Sequence, residues 1–68
     1  MNGKKLEEEI KKTRTMKTFS KEMGIAESTL YRKLKSGNFS VLEAAKAAEI
    51  LKLKNETAYD IFFREALA

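Results

Sequence analysis

Large apolar residues recur in pairs four apart along the first half of this chain: Leu6 and Ile10, Phe19 and Met23, Leu30 and Leu34. A spacing of four puts both members of a pair on one face of an α-helix, and charged residues fill the positions around them. Glycines break the pattern at Gly24 and Gly37, and no proline interrupts it anywhere. A residue just past a helix end often needs positive φ, which glycine adopts without steric cost. The chain is therefore expected to fold as short helices separated by tight turns.

Five helices are expected. The first covers residues 3–13. Thr15 is positioned to cap a second, residues 16–23, which Gly24 ends. The third covers residues 27–35 and is closed by the turn residues Ser36, Gly37 and Asn38. Ser40 opens the fourth, where Ser40 and Glu43 have the spacing of a capping box. Val41, Ala44, Ala45, Ala48 and Leu51 are expected to share one side of it, the alanines admitting a close neighbour. Asn55 is expected to cap the last helix, residues 56–66. That helix carries Ile61, Phe62 and Phe63 in succession, which cannot all share one helical face, so one of them is expected to look away from the core.

With 68 residues, the chain makes one domain, and so short a chain buries only about 60% of its unfolded surface. It has no cysteine and no histidine. That removes disulfides, thiolate metal sites and the commonest metal ligand and general base. Ten carboxylates remain, but a domain of this size rarely encloses a substrate pocket. No enzymatic activity, cofactor, metal or small-molecule ligand is expected. The sequence has no apolar run long enough to cross a bilayer and no signal-peptide pattern, so a cytoplasmic protein without membrane contact is expected.

The net charge of +4 is unevenly placed. Residues 11–35 hold eight basic side chains (Lys11, Lys12, Arg14, Lys17, Lys21, Arg32, Lys33, Lys35) against Glu22 and Glu27, a net +6. The flanking segments are each slightly acidic. A basic segment of this kind attracts a polyanion, although a solvated surface would have the same composition.

Within residues 15–35, two helices are joined by a turn too short for an antiparallel pair. They are expected to cross steeply, as in a helix-turn-helix, with the second helix able to enter the major groove. With Leu30 and Leu34 turned inward, Ser28, Arg32 and Lys35 point away from the core. Tyr31 flanks them on one side, and Thr29 and Lys33 lie toward the other. Arginine can bond guanine O6 and N7 together, and Glu27 could accept from cytosine N4 or merely favour the helix N-terminus.

The run Phe19-Ser20-Lys21-Glu22-Met23-Gly24-Ile25-Ala26-Glu27-Ser28-Thr29-Leu30-Tyr31-Arg32-Lys33-Leu34 resembles the core of the Cro/C1-type (XRE-like) helix-turn-helix family. These are phage repressors and bacterial regulators, and the likeness covers at least residues 4–54. The resemblance implies an all-α, five-helix, lambda-repressor-like DNA-binding domain over residues 1–68. It also implies a transcriptional regulator of the phage-repressor type, often a homodimer on operator DNA, acting in a bacterial or phage-infected cell.

Carried over by position, Glu27, Ser28 and Arg32 fall on base-contacting sites, and Tyr31 adjoins them. Met16, Lys17, Lys35 and Asn38 fall near the DNA backbone, with Ser36 beside them in the turn. Three positions depart from the family pattern. Met16 replaces a glutamine that clamps a phosphate, and Ser20 replaces a small buried alanine. Ala26 replaces the serine or threonine cap, a loss of about 1 kcal/mol. The Ser20 hydroxyl is expected to bond a carbonyl one turn back.

Two other readings compete. In one, the chain is a protein-interaction module of antitoxin or anti-repressor type that binds through its C-terminal apolar helix. In the other it binds RNA, although only Tyr31 is placed to stack on a base. For the homodimer, the expected interface is Ile61, Phe62 and Phe63, with Phe62 or Phe63 at its centre.

Overall fold

Caps and glycine stops set the ends of the helices in the computed structural model, which describes residues 1–64. Five helices follow in chain order, with no strand among the described residues. Helix α1 spans Gly3–Lys11, and Asn2 Oδ1 accepts the Lys5 N–H at 3.1 Å at its start. It ends two residues before the expected Thr13. The amides of Thr13 and Arg14 instead both turn back onto the Ile10 carbonyl, at 3.2 and 3.1 Å.

Helix α2 spans Met16–Met23, as expected, and Thr15 Oγ1 accepts the Thr18 N–H at 3.1 Å. Gly24 stops it with φ at 76°. The Gly24 and Ile25 amides then donate to the Lys21 and Ser20 carbonyls, both at 3.0 Å. These two bonds satisfy carbonyls that a helix end otherwise leaves open.

Helix α3 spans Glu27–Ser36, one residue longer than expected, and Gly37 closes it at φ 74°. Helix α4 spans Val41–Leu51, and its capping box is complete. Ser40 Oγ accepts the Glu43 N–H at 3.0 Å, and Glu43 Oε1 accepts the Ser40 N–H at 2.9 Å.

Helix α5 spans Asn55–Phe62 and corrects one expectation. Lys54 occupies the capping position, and no side chain bonds to the first turn; Asn55 is the first helical residue instead. The expected extension to Ala66 runs past the described residues.

Leu6, Ile10, Phe19, Leu30 and Ile61 are fully buried at the centre, one or two from each helix except α4. From α4 come Ala44 and Ala47, small enough to let it lie against α2. The buried side of α4 is thus turned from the expected one. Ala47 replaces Ala45 in the core, and Val41 stands outside it with 72% of its surface exposed. Helix α1 packs on α2, α3 and α5. Ser20 is buried, and its hydroxyl donates to the Lys17 carbonyl at 2.7 Å, as expected of a serine at that position.

The aromatic end of α5 also differs from expectation. Ile61 has no exposed surface and Phe62 is buried, so two of the three residues assigned to a dimer contact belong to the core of the protomer. Packing of α5 on α1 turns them inward. The helix ends at Phe62, and Phe63, with φ at −123°, leaves helical geometry and remains 40% exposed. Phe63 is the residue that looks away.

Gly3 lets α1 approach the end of α3 closely. A Cβ at Gly3 would overlap the Leu34 carbonyl oxygen, a backbone atom that cannot rotate aside. Gly3→Ala is therefore expected to destabilise the fold by about 1–3 kcal/mol, the usual cost of forcing atoms into a packed contact. Urea unfolding measures this, and an unchanged midpoint would mean that α1 and α3 can separate freely.

Candidate nucleic-acid interface

Helix α3 is held to α1 and α2 by two buried side chains, Leu30 and Leu34. At 100° per residue this directs the opposite side of the helix to solvent. Glu27, Ser28, Tyr31, Arg32, Lys35 and Ser36 are all exposed, while Thr29 and Lys33 are half-buried along one flank. Asn38, in the turn after α3, is also exposed. Ser28, Tyr31, Arg32 and Lys35 thus share one open face.

The α3 N-terminus has no side-chain cap, because Ala26 stands at the capping position. The first amide to find a helical partner is that of Leu30, which donates to the Ala26 carbonyl at 3.0 Å. The N–H groups before it have no carbonyl within the helix to bond. They lie beside the exposed Ser28 and form a partial positive charge.

Met16 does not match its expected role. Its side chain is buried in the core with Phe19 and Met23, so it has no terminal group to offer a phosphate. At this position only its main-chain N–H, at the start of α2, could meet an anion. Lys17, the next residue, is exposed, and Lys21 follows one turn later on the same side of α2. Lys21 was not among the expected contact residues.

Pairing divides the eight basic side chains of residues 11–35 into two groups. Lys11 bonds Glu7 at 2.8 Å and Lys12 bonds Glu9 at 2.6 Å. Arg14 Nη1 meets both carboxylate oxygens of Glu22 at 2.6 Å, and Lys33 meets Glu43 at 3.1 Å. Lys17, Lys21, Arg32 and Lys35 pair with no carboxylate among the described residues. The uncompensated charge therefore lies on α2 and on the open face of α3. The hydrogen bond that Lys11 donates to the Glu7 carboxylate raises the Lys11 pKa.

A cleft of about 270 Å³ runs between α3 and the following turn, lined by Thr29, Arg32, Lys33, Ser36 and Asn38. It brings together three residues expected to touch DNA, Arg32, Ser36 and Asn38. It adds Thr29 and Lys33, which the helical projection had placed only on the flank. The i, i+3, i+4, i+7 spacing of residues 29, 32, 33 and 36 is the signal that places them on one helical flank.

Comparison of the chain with protein-family models, with curated proteins and with solved structures gave no match.

The Ser40 N–H bond, and then the bond from Lys33, hold the Glu43 carboxyl below the usual carboxylate pKa. The ionised form is thus favoured in the folded state. Its contribution to stability is complete above the ordinary carboxylate range and is lost as pH falls through the lowered folded value. The melting temperature is expected to fall less on acidification for Glu43→Gln than for the parent chain, between about pH 6 and about pH 3. Parallel curves for the two proteins would show that Glu43 contributes nothing to acid sensitivity.

Proposed function

We propose that this chain is a sequence-specific, double-stranded DNA-binding protein with a lambda-repressor-like helix-turn-helix, α3 being the helix that enters the major groove. The observation that carries this reading is the coincidence of two surfaces. The open face of α3, with Ser28, Tyr31, Arg32 and Lys35, is also where the segment's unpaired cations lie, together with Lys17 and Lys21 on α2. Cations without a carboxylate partner release counterions when they meet phosphates, and this supplies affinity independent of sequence. Arg32, at the middle of the open face, is the base reader, with Glu27, Ser28 and Tyr31 around it. Lys17, Lys35, Ser36, Asn38 and the Met16 amide hold the backbone.

The role follows from the resemblance to Cro/C1-type regulators: a cytoplasmic transcriptional regulator of the phage-repressor type, without catalytic activity, working as a homodimer. One half-site of a few base pairs is too small to specify an operator, and a dimer would present two recognition helices about 34 Å apart. Phe63 is the residue of the expected interface that is open to a second copy.

A second reading has its own observation. Val41, at the start of α4, and Phe63, just past α5, are exposed on one apolar groove lined also by Ala44 and Phe62, with the exposed Tyr59 ring against Phe63. Patches of this kind mark contact sites, which favours a protein-interaction module.

Selection of bound duplexes from a random pool, followed by titration at several salt concentrations, separates the two readings. Under the DNA reading, Arg32→Ala costs about 1–3 kcal/mol at one base position and relaxes preference there. Lys35→Ala weakens binding to every sequence alike and lowers the salt slope by about one. An Arg32→Ala protein that still separated operator from random DNA would remove α3 as the reading helix. Absence of any duplex binding at low salt would leave the interaction module.

A further inference from the structure

Lys33 is the α3 cation that does not face open solvent. Its Nζ lies 3.1 Å from Glu43 Oε2 and 3.3 Å from Oε1, and 3.4 Å from the Asn38 carbonyl oxygen. It also lines the cleft beside Thr29, Arg32, Ser36 and Asn38. With Arg32 turned to the bases, the cleft still offers the Lys33 ammonium, two hydroxyls and an amide, with no carboxylate among them, a donor set suited to one phosphate group. Glu43 binds Lys33 from outside that set.

Glu43 is fixed before Lys33 reaches it. Its Oε1 already accepts the Ser40 amide, and its own amide donates to Ser40 Oγ, so the capping box holds the side chain in place. The pairs of Lys11 with Glu7 and of Lys12 with Glu9 are different, because each joins two side chains of the same exposed helical surface. A carboxylate anchored by its cap loses little further freedom on pairing, so it competes well for a nearby ammonium.

We infer that Glu43 stands in for a DNA phosphate at Lys33: the cleft beside α3 takes one backbone phosphate, and Glu43 withholds Lys33 from it, keeping sequence-independent affinity below what this surface could reach. The inference rests on the reading of α3 as the helix that enters DNA. Because a phosphate contact carries no sequence information, restraint at Lys33 lowers affinity for all duplexes while leaving the reading by Arg32 untouched.

The test uses a random-sequence duplex and the Glu43→Gln protein, since glutamine at this position also completes a capping box. Glu43→Gln is expected to bind several-fold more tightly at low salt. Its log–log salt slope should steepen by about 0.9, an extra loss of about three- to fourfold between about 50 and about 200 mM salt. Adding Lys33→Gln to that protein should cancel the gain. Glu49→Gln, exposed on the same helix and with no Lys or Arg partner among the described residues to release, adds the same unit charge and should leave the slope unchanged.

In the parent background, Lys35→Gln should lower the slope while Lys33→Gln does not, and this comparison decides the matter if Glu43→Gln fails to fold by circular dichroism. An unchanged slope in folded Glu43→Gln, an equal gain in Glu49→Gln, or a Lys33→Gln slope matching that of Lys35→Gln would each overturn the inference. The DNA reading would survive any of those results, because the parent protein would still bind. A parent protein that bound no duplex at low salt would remove both.

Discussion

The seating of α3 on α1 and α2 through Leu30 and Leu34 is the contact from which the rest of the surface follows. Burying two leucines one turn apart fixes the rotation of the helix about its axis, and that rotation decides which side chains meet solvent. A slip of one residue would turn α3 by 100° and carry Arg32 from the centre of the open face to its edge. The turn between α2 and α3 holds the register. Gly24 adopts a left-handed conformation, and Ile25, partly buried against the core, ties the turn down.

On this frame the charges have been sorted more finely than their number suggests. Each carboxylate that pairs with a cation of residues 11–35 removes that cation from competition for an anion. Surface pairs contribute at most about 1 kcal/mol each to stability. Within residues 11–35 their larger effect is on where uncompensated charge remains, which is on α2 and α3.

Much of this was legible in the residues. The i, i+4 leucines, the Thr15 and Ser40 caps and the glycine stops depend on local geometry, and the helices they define match to within a residue or two at most ends. What could not be read depends on contacts distant in sequence. The resemblance to Cro/C1-type sequences, which carry glutamine there, implies a surface role for Met16, yet it closes the core beside Phe19. Ala47 and Ala45 are chemically the same residue, and only the approach of α2 decides which is buried. Ile61, Phe62 and Phe63 gave the right count of one outward residue, and the early end of α5 decided which it was. Lys33 and Glu43 are ten residues apart across a turn, and nothing in their spacing announces the pair.

The open start of α3 has a consequence for how tightly this chain can be built. A serine or threonine at position 26 would secure the first turn, and by the same bond would occupy an amide now free beside Ser28. Ala26 leaves that turn, like the first turn of α5, without a side-chain cap, and an uncapped turn frays more readily in the absence of a ligand. If α3 reads DNA as proposed, stability and recognition compete for the same donors at one helix end, and a more robust version of this fold would be a less receptive one.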